Sequence, residues 1–173
     1  MSRFPLVAFD APTLRHIQER GGRPMNLYRV LGNHPALLHA WVDFASVLRY
    51  QCGTSRALRE LIILRIAQVC HSAYQWRQHL ALALQAGVPQ DRIDGLAEWR
   101  TSSLFEAPDR AALALAEGIA ACSVDPADHA QASTHFSQPE MLEIILTASF
   151  YTMCSRVLDA TAVTSEGEAD LQA

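Results

Sequence analysis

The fold of this chain is decided by residues 55–87, which read SRALRELIILRIAQVCHSAYQWRQHLALALQAG. Ser55 is of a residue type that caps helix N-termini, and the apolar run Leu61–Leu64 follows it. A helix with four consecutive apolar residues has no wholly polar face. We therefore expect this first helix to be central and largely buried.

A second helix is predicted over residues 74–86. It follows the polar pair His71-Ser72 and ends at Gly87, with Pro89 just beyond. Glycine followed by proline is typical of the C-terminal end of a helix. The stretch therefore predicts a pair of helices.

Polar side chains recur at helical spacing where this second helix begins. Ser72, Gln75 and His79 occupy positions i, i+3 and i+7, which places them on one helical face. Trp76 and Leu80 lie about 100° round from Gln75 and His79. The two apolar side chains can therefore be buried while the polar row faces a cleft.

Glu60, on the first helix, is the candidate partner of this polar row. A carboxylate on so apolar a helix needs a partner, because an unpaired buried charge is costly. One partner is Arg56, one turn earlier, in a common solvent-side pair. The other is His79, reached across an antiparallel helix pair. The spacing favours His79, with Glu60 orienting a histidine general base.

The segment resembles the carboxymuconolactone decarboxylase and alkylhydroperoxidase D superfamily, because Glu60 is followed after eleven residues by SAYQWRQH. The peroxidase branch of this superfamily carries a glutamate and then Cys-x-x-Cys-x-x-x-His. By this resemblance Glu60 and His79 match the proton-relay pair. Ser72 and Gln75 stand where the peroxidase branch has its two cysteines.

The decarboxylase-like branch reads Ser-x-Tyr-Glu-Trp-x-x-His at these positions. Tyr74 and Trp76 fit that branch, and Gln75 departs from it. The overall likeness extends over residues 29–158, and the specific motif is confined to residues 60–79. The resemblance implies an all-α helical bundle of about seven to eight helices that associates into trimers or hexamers.

Helix is predicted almost throughout the rest of the chain. Further helices are expected to begin near Asp10, Met25, Pro35, Asp91, Pro108, Pro126 and Pro139. No stretch alternates convincingly between apolar and polar residues, as a half-buried strand would. We therefore predict a single all-α domain over residues 1–173, with its core motif at 55–87 and a frayed polar tail at 164–173.

Composition narrows the class of protein. A formal charge of −4 with only 14 basic residues argues against a nucleic-acid partner. No apolar run approaches the length of a membrane span, so no membrane partner is expected. The four cysteines form no CxxC, which favours a reducing cytoplasm. His71 and His79 are eight residues apart with no acid completing a ligand triad, so we expect no metal and no cofactor.

Two of the candidate side chains, and a neighbouring cysteine, also have structural interpretations. Tyr74 is more often packed than catalytic, although its hydroxyl can donate to a developing oxyanion. Ser72 can equally be a helix cap. Cys70 is interpreted as a core residue, because no resolving cysteine lies near it in the sequence.

The predicted function is thiol-independent acid–base catalysis, as in a lyase or isomerase, on a small organic acid or lactone. His79 would take or give the proton, Glu60 would orient it, and Tyr74 would be the third catalytic residue. Ser72 and Gln75 would contact the substrate. One alternative is alkylhydroperoxidase or peroxiredoxin-type activity, which is disfavoured because both motif cysteines are missing. The other is a non-catalytic, oligomeric ligand-binding protein.

Overall fold

The structure, a computed structural model, describes residues 2–166, and this part of the chain contains helices and no strand. The all-α prediction is confirmed. The described residues form nine α-helices, two of which are short, with six and five residues, in agreement with the expected bundle of about seven to eight helices. In chain order they are α1 (Ala11–Glu19), α2 (Asn26–Leu31), α3 (Pro35–Tyr50), α4 (Arg56–Val69), α5 (Ala73–Gln85), α6 (Gln90–Asp94), α7 (Ala107–Ala120), α8 (Pro126–Ser133) and α9 (Gln138–Thr161), with a 3-10 turn over Gly95–Glu98 after α6.

The described residues group into two compact units. One comprises residues 2–51 with 157–166, and the other comprises residues 52–156. The first holds α1 to α3 and the last turn of α9, and the second holds α4 to α8 and most of α9. The single domain over residues 1–173 stays a prediction.

In the unit that contains α1 to α3, the chain end near residue 164 is held by hydrogen bonds. The Asn26 side chain donates to the Thr164 carbonyl at 3.1 Å, and the Asn26 backbone N–H donates to the Glu166 carboxylate at 2.7 Å. The frayed tail over residues 164–173 stays a prediction, and within it Thr164 and Glu166 accept these two hydrogen bonds. Residues 167–173 lie outside the described part of the chain.

Side-chain caps begin several helices, including the cap predicted at Ser55. The side chains of Asp10, Ser55 and Asp125 each accept a hydrogen bond from a backbone N–H in the first turn of the helix that follows. Such caps satisfy amide donors that the helix itself leaves without a partner.

In the unit of residues 52–156, α4 is the central helix, as predicted. Nine of its fourteen residues are buried, and it packs most extensively against α5 and α7. Trp76 and Leu80 of α5 pack against the core as expected. The buried members of this core are Leu61, Leu64, Ala83, Val88, Ile93, Leu96, Trp99, Phe105, Leu113 and Ala114.

A tight reversal joins α4 to α5. His71 adopts a left-handed backbone conformation with φ of 53°, which is uncommon for a residue other than glycine. This conformation lets the Ser72 N–H donate to the Ala67 carbonyl at 2.8 Å and the His71 N–H donate to the Gln68 carbonyl at 3.1 Å. The chain therefore turns back at once, and the polar face of α5 comes to lie along α4.

The N-terminal end of α4 is tied to α9 within the same unit. The Glu143 carboxylate accepts hydrogen bonds from the backbone N–H groups of Gly53 and Thr54, each at 2.8 Å, and from the Thr54 hydroxyl at 2.9 Å. The buried Arg59 guanidinium donates to the same Thr54 hydroxyl at 3.0 Å. These bonds fix α9 in register with the start of α4.

Helix α9 is the longest helix described. By length and composition alone it could cross a membrane, in contrast to the expectation that no run approaches that length. However, 56% of its most apolar window is buried inside the protein, as in the core helix of a globular domain. The expected absence of a membrane partner stays a prediction.

Candidate active site

Glu60 and His79 meet across the α4–α5 pair. The His79 Nδ1 atom lies 2.8 Å from Glu60 Oε2. Gln75, one turn before His79 on α5, donates from its side chain to the carbonyl of Ile63, one turn after Glu60 on α4. The two helices therefore run antiparallel, and the sequence-based prediction of a Glu60–His79 contact agrees with the structure.

The second predicted partner of Glu60 is present as well. Arg56 forms an ion pair through Nη2 with Glu60 Oε1, one helical turn apart. Glu60 thus uses one carboxylate oxygen for Arg56 and the other for His79. The sequence predicts Arg56 and His79 as alternative partners of Glu60, and the structure contains both contacts.

Burial makes this arrangement unusual for an ion pair. The Glu60 side chain is fully buried, whereas the Arg56 side chain retains 27% of its exposure and that of His79 retains 12%. The charge is therefore enclosed while its two partners reach toward the surface. A buried carboxylate of this kind persists only when its partners replace the lost hydration.

The balance of these effects keeps Glu60 ionised. Burial alone raises the pKa of the Glu60 carboxyl, but the His79 hydrogen bond and charge, together with Arg56, outweigh it. The pKa of Glu60 therefore lies below its ordinary value. An ionised carboxylate can only accept, so Nδ1 of His79 carries the hydrogen. The Nε2 atom of His79 is then the one that can exchange a proton with another molecule.

The imidazole of His79 also packs against an aromatic ring of α9. The Tyr151 ring lies edge-on to it, with ring centroids 4.8 Å apart and planes at 86°. Tyr151 is 5% exposed. The sequence does not predict this neighbour, because no local pattern connects residue 151 to residue 79.

Gln75 serves as a bridge between three helices. Its side chain donates to the Ile63 carbonyl of α4 at 3.2 Å and accepts from the Ser155 hydroxyl of α9 at 3.1 Å. Gln75 is 2% exposed. The substrate-binding role of Gln75 stays a prediction. Both ends of its amide are engaged inside the protein, so the function proposed below does not assign it that role.

The other two predicted site residues have defined positions. Ser72 caps α5, since its hydroxyl accepts from the Gln75 backbone N–H at 3.5 Å, in agreement with the capping alternative. Tyr74 is buried in the first turn of α5. Five residues separate it from His79, which places the two side chains about 140° apart around the helix. The substrate role of Ser72 and the catalytic role of Tyr74 stay predictions.

Two of the thiols, those of Cys52 and Cys154, have a raised pKa, which disfavours the thiolate form that acts as a nucleophile. Burial raises the pKa of Cys154 to about 12. Burial and the nearby Glu143 carboxylate raise the pKa of Cys52. Cys70 ends α4 and is half-buried. Over residues 2–166, no group of three or more His, Cys, Asp or Glu side chains is placed to hold a metal ion.

The cleft predicted beside the polar row of α5 also stays a prediction. A cleft of about 340 Å³ in the same unit is lined by Trp99, Arg100, Arg110 and other residues up to Gln131, and by none of the site residues above.

Comparison with known proteins supports a family assignment. A sequence model of the carboxymuconolactone decarboxylase family matches residues 35–118, which include both Glu60 and His79. No curated protein sequence matches the chain significantly.

Solved structures with the same fold cover nearly the whole chain. A variant of the debrominase Bmp8 in complex with 2,3,4-tribromopyrrole is 17% identical, with a TM-score of 0.82 over 99% of this chain and 98% of its own. An uncharacterised peroxidase-related protein from Silicibacter sp. TM1040 is 20% identical, with a TM-score of 0.81 over 96% and 93%. An alkylhydroperoxidase D core protein from Ralstonia eutropha JMP134 is 19% identical, with a TM-score of 0.81 over 96% and 93%. The match over residues 35–118 makes the chain similar to the carboxymuconolactone decarboxylase family, and its fold is that of the alkylhydroperoxidase D-like structures.

Proposed function

We propose that this protein is an enzyme that transfers a proton to or from carbon in a small organic acid or lactone, without using a thiol. His79 Nε2 is the acid–base atom, and Glu60 orients and stabilises the imidazolium. One observation carries the proposal: a fully buried carboxylate is shared between a histidine and an arginine. In this arrangement His79 can change its charge, whereas Arg56 cannot.

The role of Arg56 follows from charge balance. When His79 is neutral, Arg56 alone compensates the Glu60 charge, and when His79 is protonated, Glu60 has two cationic partners. Because arginine stays protonated at all physiological pH values, Glu60 keeps a counter-charge in both states of His79. His79 can therefore gain and lose a proton without leaving an uncompensated buried carboxylate.

Decarboxylation is one reaction that this pair can support. The bond between the substrate carbon and its carboxylate breaks, CO₂ leaves, and the electron pair is delocalised into an adjacent carbonyl group. The imidazolium of His79 delivers its Nε2 proton to the carbon, and a proton from water restores it. In an isomerisation, the same atom removes a proton from one carbon and returns it to another. Neither reaction requires an oxidant or a reductant.

The similar structures include a debrominase and peroxidase-related proteins, so thiol-dependent redox chemistry is the alternative to be tested. Peroxide reduction begins with a thiolate and needs a second thiol to resolve the sulfenic acid. Ser72 and Gln75 supply neither, and they are engaged as a helix cap and as an interhelical bridge. These contacts favour the thiol-independent proposal over the peroxidase one.

We also propose that the chain self-associates. Leu142 and Met153 of α9 are large apolar side chains that are 56% and 44% exposed. Contact with another copy would remove this apolar surface from water. Light scattering at micromolar concentration is expected to give a mass several times that of the chain, and a monomer there would contradict self-association.

Deuterium incorporation tests the proposed chemistry on whole classes of candidate substrate. Unsaturated lactone carboxylates and β-keto acids are incubated with the protein in D₂O, and carbon-bound deuterium is measured by mass spectrometry. We expect incorporation by the wild type and none above background by His79→Ala. A wild type that incorporates no deuterium but binds these compounds supports the non-catalytic alternative.

A further inference from the structure

We infer that Tyr151 is a positioning residue for His79, and that its aromatic ring holds the imidazole in a single orientation. This inference rests on the proposed role of His79 as the acid–base residue. It adds an element, α9, that the match between the sequence and the superfamily motif does not include.

The first step concerns what Glu60 leaves undetermined. The hydrogen bond from Nδ1 of His79 to Glu60 fixes one atom of the imidazole. The ring is also attached through Cγ, so the bond to Glu60 restricts its rotation, but a hydrogen bond tolerates a range of angles and χ1 and χ2 can still vary together. A second contact against the ring narrows that range. The Tyr151 ring, perpendicular to it at 4.8 Å between centroids, supplies that contact.

The second step concerns what holds Tyr151 in place. Tyr151 and Ser155 are one turn apart on α9, and His79 and Gln75 are one turn apart on α5. Ser155 donates to Gln75, as Tyr151 contacts His79. The two helices thus meet at two successive turns. The Phe150 ring adds an edge-on contact to Tyr151 at 5.3 Å between centroids.

The third step is the consequence for proton transfer. Effective transfer requires the reacting atoms to stay within a narrow range of distance and angle. A misplacement of about 1 Å can reduce a rate by about 10²-fold. The contact described between Tyr151 and His79 is one between their two rings. Phenylalanine at position 151 should therefore preserve the orientation of the His79 ring, and a side chain without a ring should not.

The test uses nitrogen NMR of protein labelled with ¹⁵N-histidine, which needs no substrate. In the wild type and in Tyr151→Phe, His79 should show one tautomer with hydrogen on Nδ1 and a slowly exchanging Nδ1–H signal. In Tyr151→Leu, exchange of that hydrogen with solvent should be at least tenfold faster. Phe105→Leu is the matched control, because it removes a buried aromatic ring elsewhere in the same unit.

Each outcome decides the inference. Unchanged His79 exchange in Tyr151→Leu would overturn it, as would an equal loss of protection in Tyr151→Phe or in the Phe105 control. If Tyr151→Leu fails to fold, Tyr151→Met provides a flexible apolar side chain of similar reach, with the same expectation.

A kinetic measurement separates this inference from the proposed function. With a substrate found by deuterium incorporation, Tyr151→Leu should lower kcat about 10²-fold and leave KM within about twofold, because orientation rather than binding is lost. Tyr151→Phe should remain within about threefold of the wild type. If the wild type turns over no substrate, the proposed function fails, while the NMR result still decides whether Tyr151 positions His79.

Discussion

Glu60 is a fully buried carboxylate and Glu117 is a partly buried one in the same compact unit, and they differ in their partners. Glu117 on α7 accepts hydrogen bonds from Arg65 at 2.5 Å, from the Trp99 indole at 2.8 Å and from Arg100 at 2.7 Å. None of these donors changes its charge at physiological pH. The Glu117 cluster therefore has one state and serves to hold α4, α7 and the segment after the 3-10 turn together.

Glu60 has a permanent partner in Arg56 and a partner in His79 whose charge can change. In both carboxyl groups burial raises the pKa, and in both the hydrogen bonds and charges of the partners outweigh it, so that both pKa values lie below the ordinary one. A lowered carboxyl pKa therefore does not by itself distinguish a reactive site from a structural one. The histidine does.

The largest expected difference between the two clusters is in turnover. His79→Ala should reduce turnover by about 10²- to 10⁴-fold, the contribution typical of a general acid or base. Glu60 keeps Arg56 in this variant, so stability should fall by only about 2 kcal/mol, as for a lost hydrogen bond to a charged group. Deuterium incorporation and urea unfolding measure the two effects. Turnover within threefold of the wild type would remove His79 from the mechanism.

Glu117→Gln should show the opposite result. Loss of the carboxylate leaves Arg65 and Arg100 without their shared counter-charge, and we expect stability to fall by about 2 to 3 kcal/mol. Turnover per folded molecule should stay within about twofold of the wild type. A selective loss of turnover in Glu117→Gln, with unfolding unchanged, would show that the division between structural and reactive carboxylates is wrong.

The two arginines sharpen the comparison. Arg56→Gln removes the permanent counter-charge of Glu60, and turnover should fall about tenfold because neutral His79 then leaves the buried carboxylate uncompensated. Arg100→Gln is the matched control. Its side chain is 60% exposed, so its loss should cost at most about 1 kcal/mol and leave turnover unchanged. Equal effects of the two substitutions would contradict the compensating role of Arg56.

Acid should affect both clusters in the same direction. Because the folded pKa values of Glu60 and Glu117 are lowered, both groups contribute stability above the unfolded carboxyl pKa of about 4.3, and this is lost as the pH falls through the folded values. Urea unfolding should therefore show a decline that begins below about pH 4.3 and is shallower in Glu117→Gln. An equally steep decline in that variant would exclude Glu117 as a source.

The smallest expected effect is on peroxide. Organic hydroperoxide consumption, coupled to a dithiol, should be at background in the wild type and unchanged in Cys70→Ser, because no resolving pair stands in the motif. Robust consumption that is lost only in Cys70→Ser would restore the peroxidase alternative. It would also make the Glu60 site a relay that serves a thiol.

Much of this site was predictable because its central contacts depend on local periodicity. The i, i+3, i+7 row of α5 and a lone acid on an apolar helix were enough to predict the Glu60–His79 contact. The left-handed conformation of His71 was not predicted, because residues other than glycine adopt it uncommonly. It is what makes the reversal between the two helices so short.

The contribution of α9 could not be predicted for a different reason. Tyr151 and Ser155 reach α5 because the Glu143 carboxylate binds the backbone of Gly53 and Thr54 and so fixes the register of α9. That register depends on contacts between residues about ninety positions apart. Periodicity within α9 shows which residues share a face, but it does not show which helix that face meets.

The central claim is that Glu60 remains ionised while His79 gains and loses a proton, and NMR can measure both groups in one titration. The protein is labelled with ¹⁵N-histidine and with ¹³C at the glutamate side-chain carboxyl, and both signals are followed as the pH is lowered stepwise. The proposed mechanism predicts that the His79 ring nitrogens report protonation while the Glu60 carboxyl signal stays that of a carboxylate. A Glu60 carboxyl that takes up the proton while His79 stays neutral would contradict it.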